Sequence, residues 1–156
     1  MKSKVYIETT IVSYLVASPS RDVIQSAHQQ VTREWWARRS RFDLFVSRPV
    51  LAEAGRGDAT AAARRLEKLT GIPMLSIGRG TEALANTLLR TGALPPKARI
   101  DAVHVAIAAT NGMDYLLTWN LRHLANAAIR GKIEDACQRA GVRPPVICTP
   151  EEVMEV

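Results

Sequence analysis

The side chains of this sequence whose types and positions indicate chemistry are three carboxylates and one amide: Glu8, Glu53, Asp101 and Asn120. Three carboxylates in one cleft would repel one another and raise one another's pKa unless a cation neutralised them. Oxygen ligands without a cluster of His or Cys favour Mg²⁺ or Mn²⁺ over zinc. Such an ion can orient a phosphodiester, generate hydroxide from bound water and stabilise the leaving oxygen. The four residues therefore predict an acidic metal site suited to cleaving phosphodiester bonds.

Two of these residues stand where a predicted strand ends. Glu8 follows the apolar run Val5–Ile7, and Asn120 follows the run Tyr115–Trp119. The carboxyl ends of parallel strands meet at one edge of an open sheet, and ligands bind there. We therefore expect both side chains at that edge.

The other two residues are predicted on helices that begin near the same edge. Glu53 lies on the segment that leaves the predicted strand Leu44–Val46, in a helix that Pro49 opens. Asp101 lies in the first turn of a helix predicted from about Lys97 to Asn111, whose apolar residues recur at helical spacing. All four polar groups can then converge on one side of the sheet.

The chain alternates short apolar runs with helical stretches, a pattern typical of a parallel α/β sheet. Further strands are predicted at 74–77 and 146–148, the second of them at an edge of the sheet. Further helices are predicted at 11–16, 20–39, 58–69, 81–89 and 126–140. Because no linker, repeat or low-complexity segment interrupts this pattern, we expect a single domain over residues 1–156.

Composition narrows the class of partner. The 156 residues carry 21 Lys and Arg against 15 Asp and Glu, a net charge of +6, and 47% of them are hydrophobic. This hydrophobic content argues for a folded core, and the positive charge favours a polyanion such as nucleic acid. No segment resembles a signal peptide or a membrane span, so a cytoplasmic protein without membrane contact is expected. Cys137 and Cys148 lack the spacing of a zinc site or a disulfide framework.

Four segments together resemble a PIN domain, and most closely the VapC-type toxins of bacterial type II toxin–antitoxin pairs. They are VYIETTIVSYL at 5–15, the helix that carries Glu53, RIDAVHVAIAA at 99–109 and GMDYLLTWN at 112–120. Each segment is a weak motif alone, but their order is specific as a set. The resemblance extends along nearly the whole chain.

The resemblance implies a fold, an activity and partners. The fold is a three-layer α/β/α sandwich with a central parallel β-sheet. The activity is that of a Mg²⁺- or Mn²⁺-dependent endoribonuclease, and the partners are RNA and a cognate antitoxin protein that blocks the acidic cleft. By position, Glu8, Glu53 and Asp101 match the three acids of the site. Glu8 and Asp101 would bind the metal, and Glu53 would bind it directly or through water.

Two hydroxyl positions also match the family's pattern. Thr9 or Thr10 occupies the small polar position beside the first acid, and Thr118 would present its hydroxyl to the cleft. The sequence departs from the family at two places: the first acid is usually Asp, and the fourth acid is often Asp where this chain has Asn120. Because the amide is neutral, we expect one tightly held metal ion rather than two. The alternative is a catalytically weak or inactive relative that binds RNA or protein.

Residues outside the acidic set have simpler interpretations. Arg122 and Arg130 follow the strand that ends in Asn120 and are candidates for binding RNA phosphates, and His123 could also touch phosphate or help proton transfer. The alternative is that these arginines only form a solvated basic face and bind no RNA. His104 lies on the apolar stripe of its helix, where a buried His with satisfied hydrogen bonds is the expected role.

Two further features bear on partners and on alternative functions. Trp35 and Trp36 cannot both face the same way on a helix, so one is expected to be partly exposed, as part of a homodimer or antitoxin surface. A receiver-like signalling domain would also gather acids at strand ends. That class needs a Lys at the end of a late strand, and here the late strand ends in Asn120.

Overall fold

The computed structural model describes residues 1–154. Within that range four strands form one sheet, all of them parallel. They are β1 (Ser3–Ile7), β2 (Phe42–Phe45), β3 (Tyr115–Leu117) and β4 (Val146–Cys148), and their order across the sheet is β2-β1-β3-β4. The last strand is therefore an edge strand, as predicted.

Helices fill the connections between the strands. They are α1 (Thr9–Val16), α2 (Val23–Ala37), α3 (Arg48–Ala54), α4 (Ala59–Leu69), α5 (Arg79–Arg90), α6 (Arg99–Thr110), α7 (Ala127–Arg139) and α8 (Pro150–Val153). Short 3₁₀ turns at Arg39–Arg41 and Pro96–Ala98 lead into β2 and α6. The short helix α8 was not predicted from the sequence.

Two groups of helices flank the sheet. Helix α1 contacts α2, α3 and α4, whereas α5 contacts α6 and α7. A parallel sheet between two groups of helices is an α/β fold compatible with the three-layer α/β/α sandwich expected from the sequence. The chain passes from β1 to its neighbour β2 in one direction across the sheet, and from β3 to its neighbour β4 in the opposite direction. Ligands of such sheets bind where the connections diverge, which here lies between β1 and β3.

The core is centred on β1 and α6. Val5, Tyr6 and Ile7 are buried completely because β1 has a strand on each side and helices over both faces. Helix α6 is buried around most of its circumference, and its alanines allow close approach to the sheet. An inner strand and an inner helix therefore carry Glu8 and Asp101.

One predicted strand does not form. Over 74–77 the structure has only a single parallel bridge, between Val46 and Met74, beyond the end of β2. Met74 and Ile77 are exposed at 55% and 43%, and only Leu75 of this apolar run packs against the core, so the run follows the outer edge of the sheet without becoming one of its strands. The prediction of a strand at 74–77 was wrong because apolar content does not reveal how many partners a segment finds.

The adjacent tryptophans face different surroundings. Trp35 is buried completely against Phe42, whereas Trp36 is only partly buried and has the Arg39 guanidinium 4.6 Å above its ring. The expectation that one of the pair is partly exposed is confirmed. Among residues 1–154, none of the helices combines the length and the apolar character that crossing a membrane would require.

Candidate metal centre

Glu8 joins three elements through one carboxylate oxygen. It follows β1 directly and caps α1, where its Oε1 accepts hydrogen bonds from the backbone N–H and the hydroxyl of Thr10. The same oxygen accepts a hydrogen bond from Thr118 Oγ1, just beyond β3, at 2.7 Å. Burial raises the pKa of Glu8, and the nearby His104 and the hydroxyl donors oppose that rise. The carboxylate is thus held in place at the junction of β1 and β3.

Glu53 approaches the same place from α3. Ser47 caps this helix and Pro49 lies in its first turn, which fixes where the helix leaves the end of β2. The Oε1 atom of Glu53 accepts hydrogen bonds from Thr9 Oγ1 at 2.9 Å and from His104 Nε2 at 2.7 Å. Partial burial is the largest single effect and acts to raise the pKa of Glu53, but the hydrogen bonds from His104 and Thr9 and the charges of His104 and Arg56 together lower that pKa.

His104 connects Glu53 to the core. Its ring is buried, and Nδ1 lies 2.7 Å from the hydroxyl of Tyr6. That hydroxyl in turn lies 2.6 Å from Oγ of Ser47, the residue that caps α3. The sequence-based prediction of a buried His with satisfied hydrogen bonds is confirmed, but its position beside two carboxylates was not predicted.

Asp101 belongs to a neighbouring group. Its Oδ1 accepts a hydrogen bond from Asn120 Nδ2 at 3.0 Å, and its Oδ2 lies 3.2 Å from His123 Nδ1. Asn120 Oδ1 accepts from the backbone N–H groups of Arg122 and His123, so the loop after β3 is folded around this amide. The side chain of Asp101 is mostly buried, and both of its oxygens have partners.

The two groups touch through Thr118. Its hydroxyl donates to Glu8 Oε1 and accepts a hydrogen bond from the backbone N–H of Asn120 at 2.9 Å. Hydrogen bonds through Thr118 therefore connect Glu8, Asn120 and Asp101 at the carboxyl edge of the sheet, whereas Glu53 reaches this edge through its separate contacts with Thr9 and His104. Thr9 and Thr10 have separate roles, since Thr9 contacts Glu53 and Thr10 contacts Glu8.

Glu8, Glu53 and His104 could hold a metal ion. One ligand atom from each lies within 4.8 Å of the others, and Asp101 is not a member of this group. Among residues 1–154, no group donates a hydrogen bond to Oε2 of Glu8 or of Glu53, whereas each Oε1 has several donors. A pair of oriented carboxylates that each leave one oxygen free fits the donor set of a small divalent cation.

The two predicted phosphate-binding arginines lie outside this group. Arg122 is exposed in the loop after β3, next to Asn120. Arg130 is partly buried in α7, and its positive charge acts to lower the pKa of Cys148, although burial raises that pKa to about 12. Within the described part of the chain its Nε atom is buried and has no hydrogen-bond partner.

His104 was not assigned to the site from the sequence, and His123 was named only as a group that could touch phosphate or help proton transfer, not as a partner of Asp101. A signal was present for His104, because it lies three residues after Asp101 on one helix and therefore on the same face. His123 follows Asn120 by three residues in a loop, and only the fold shows that its ring reaches Asp101.

Comparison with protein-family models and with curated proteins finds no match for this chain.

Proposed function

We propose that the chain is a metal-dependent endoribonuclease and the toxin of a toxin–antitoxin pair. The observation that carries this proposal is the close approach of Glu8, Glu53 and His104 at the carboxyl edge between β1 and β3. The net charge of +6 adds support, because a basic protein that carries a small group of carboxylates suits a polyanionic substrate held around a metal ion. The resemblance of the sequence to PIN domains supplies the toxin assignment.

Oε2 of Glu8 and Oε2 of Glu53 are the atoms we assign to a Mg²⁺ or Mn²⁺ ion. When bound, such an ion supplies Lewis acidity for a phosphodiester and its attacking water. Thr10 and Thr118 orient Glu8, and Thr9 and His104 orient Glu53. The hydroxyls lower the mobility of both carboxylates before any ligand arrives.

Asp101 brings a third carboxylate to the same edge. Its hydrogen bonds to Asn120 and His123 hold it beside Thr118 rather than within the closest group. In this proposal Asp101 adds negative potential and binds the ion through water, in place of the direct ligation expected from the sequence. One ion rather than two follows, because the neutral amide of Asn120 contributes no charge.

The rim residues would hold the rest of the RNA backbone. Arg122 is exposed two residues after Asn120, and its backbone N–H donates to Asn120 Oδ1, which places the residue beside the acidic edge. Arg130 lies in the first turn of α7, near Cys148 at the end of β4 and therefore at the same edge of the sheet. Contacts of this kind are independent of base sequence and weaken with added salt.

The decisive experiment is RNA cleavage with Mn²⁺ or Mg²⁺, with and without chelator, comparing the wild type with Glu53→Gln. The Gln side chain keeps an oxygen that can accept from Thr9 and His104 but removes the charge, so we expect at least about 100-fold slower cleavage. Glu82→Gln, at an exposed position in the first turn of α5, is the matched control and should leave the rate unchanged. Cleavage that persists in chelator and in Glu53→Gln would contradict the metal-nuclease proposal.

A second arm tests the biological assignment. Expression of the wild type should slow bacterial growth, Glu53→Gln should not, and the product of a small adjacent gene should restore growth. Normal growth of cells that express an active enzyme would exclude the toxin role but not the nuclease activity. RNA binding without cleavage by wild type and variant would instead support the inactive binding module.

A further inference from the structure

A buried series of hydrogen bonds leads from the beginning of α3 back to Glu53 on the same helix. The backbone N–H of Val50 donates to Ser47 Oγ, which lies 2.6 Å from the hydroxyl of Tyr6. Tyr6 lies 2.7 Å from His104 Nδ1, and His104 Nε2 lies 2.7 Å from Glu53 Oε1. Ser47, Tyr6 and His104 are almost completely buried, so water does not compete for these contacts.

The chemistry of a carboxylate fixes one direction in this series. A carboxylate that binds a metal ion is ionised, so Glu53 can only accept hydrogen bonds. A nitrogen 2.7 Å from such an oxygen must therefore carry the hydrogen, so Nε2 of His104 is the donor. A nitrogen that carries a hydrogen has no lone pair for a metal ion. Proximity alone would admit His104 as a third ligand, but this hydrogen bond argues against it.

The rest of the series determines how firmly the ring is held. Ser47 caps α3 through the N–H of Val50, and its hydroxyl contacts Tyr6 on the central strand β1. Helix α3 therefore contacts the His104 imidazole of α6 in two ways. Its Glu53 contacts the ring directly, and its cap residue Ser47 holds the ring through Tyr6 of β1. Because each member is buried and has a partner, rotation of the imidazole would leave a buried polar atom without one.

We propose that His104 is a positioning residue whose Nε2–H holds Oε1 of Glu53 and leaves Oε2 for the metal ion. The inference rests on the proposed metal centre but assigns it a specific donor set: the protein ligands are all oxygen. An all-oxygen set favours Mg²⁺ and Mn²⁺, whereas a coordinated imidazole would shift preference toward zinc and other nitrogen-binding metals. The series from Ser47 to His104 therefore acts as a determinant of which metal is bound.

Pulsed electron paramagnetic resonance of the Mn²⁺-loaded protein tests the donor set directly. We expect no modulation from a directly coordinated ¹⁴N, and such modulation would overturn the proposal. Mn²⁺ titration then compares two substitutions at the same position. His104→Gln keeps an N–H near the place of Nε2, so its affinity should stay within about threefold of the wild type, whereas His104→Leu should lose about 10–100-fold. Equal losses in both variants would also contradict the proposal.

Two further measurements separate this inference from the proposed function. Nitrogen-15 NMR of the metal-free protein should show a proton on Nε2 of His104, and that proton should remain when Mg²⁺ is added. An unprotonated Nε2 in either state overturns the inference whether or not the protein cleaves RNA. Tyr6→Phe removes a hydroxyl without touching Glu53, and we expect it to weaken Mn²⁺ binding severalfold while thermal unfolding confirms that it folds. If the wild type binds no Mn²⁺, the proposed metal centre is wrong. The NMR measurement then still decides whether Nε2 of His104 donates to Glu53.

Discussion

Thr118 shows how much depends on a single hydroxyl. It is completely buried just beyond β3, where it donates to Glu8 and accepts from the backbone of Asn120. The first contact orients a proposed metal ligand, and the second begins the loop that carries His123. Removal of the hydroxyl would therefore loosen both sides of the site at once.

For this reason we expect Thr118→Val to weaken Mn²⁺ binding by about 10–100-fold, as is typical when a group that orients a metal ligand is lost. Val has nearly the same shape, so the change isolates the hydrogen bonds from packing. Thr118→Ser keeps the hydroxyl and should bind Mn²⁺ nearly as well as the wild type. Calorimetric titration measures both variants, and unchanged affinity in Thr118→Val would contradict the role given to this hydroxyl.

At the scale of single residues, the sequence predicted positions better than partners. Glu8 and Asn120 could be located because an acid or amide directly after an apolar strand must lie at the carboxyl edge. The same reasoning could not show that Asp101 contacts His123, because this contact depends on the geometry of the loop after β3. Nor could it show that the two neighbouring threonines orient different carboxylates.

At the scale of elements, one carboxylate connects several strands at the amino-terminal edge of the sheet, opposite the candidate metal centre. Asp114 accepts hydrogen bonds from the backbone N–H of Lys4 at 2.8 Å and from Arg143 at 2.9 Å. It therefore links the beginnings of β1 and β3 to the loop that precedes β4. The backbone donor, followed by the hydrogen bond and charge of Arg143, lowers the pKa of Asp114.

A carboxyl whose pKa is lower in the folded state stabilises the fold at neutral pH, and that stabilisation is lost as the pH falls through the folded value. We expect Asp114→Asn to reduce the free energy of unfolding by about 0.5–1 kcal/mol at pH 7, discounted because Arg143 is well exposed. The difference from the wild type should shrink below about pH 4. Urea unfolding across this range measures it. Asp43→Asn, at an exposed position in β2, removes one carboxylate without removing the contacts of Asp114 and is the matched control.

The elements themselves were largely predictable, with an instructive exception at 74–77. Strands β1, β3 and β4 could be found because each is a short apolar run between signals for turns or helices. The run at 74–77 has the same composition, but it lies beside the end of β2 and pairs at one residue only. Pairing is a property of neighbours in space, which local composition does not report.

At the scale of the whole molecule, the two thiols report on the core. Cys137 and Cys148 are free and buried in α7 and β4. Burial raises the pKa of Cys137 to about 11 and that of Cys148 to about 12. Only the thiolate reacts with alkylating reagents. Burial therefore protects both thiols in two ways, because it keeps the reagent away and keeps the thiol protonated.

We therefore expect alkylation of the native protein at pH 8 to be at least about 100-fold slower than that of the urea-unfolded chain. The rate should rise in step with global unfolding as urea increases, because neither thiol lies in a loop that opens alone. Mass spectrometry of iodoacetamide adducts measures each site. Rapid labelling of Cys148 in the native state would show that β4 detaches from the sheet without global unfolding.

The strand order also determines when the sheet and the candidate site can form while the chain is being synthesised. Strand β1 is made first but occupies the interior of the sheet, and its partner Tyr115 follows it by more than a hundred positions. While the chain is being translated, β1 and β2 can pair, but the other edge of β1 stays open until β3 emerges. Thr118, Asn120 and His123 arrive later still, so the acidic edge cannot be completed early. Under the proposed function, this order would keep the chain inactive during most of its synthesis on the ribosome, whose RNA would otherwise be the nearest substrate.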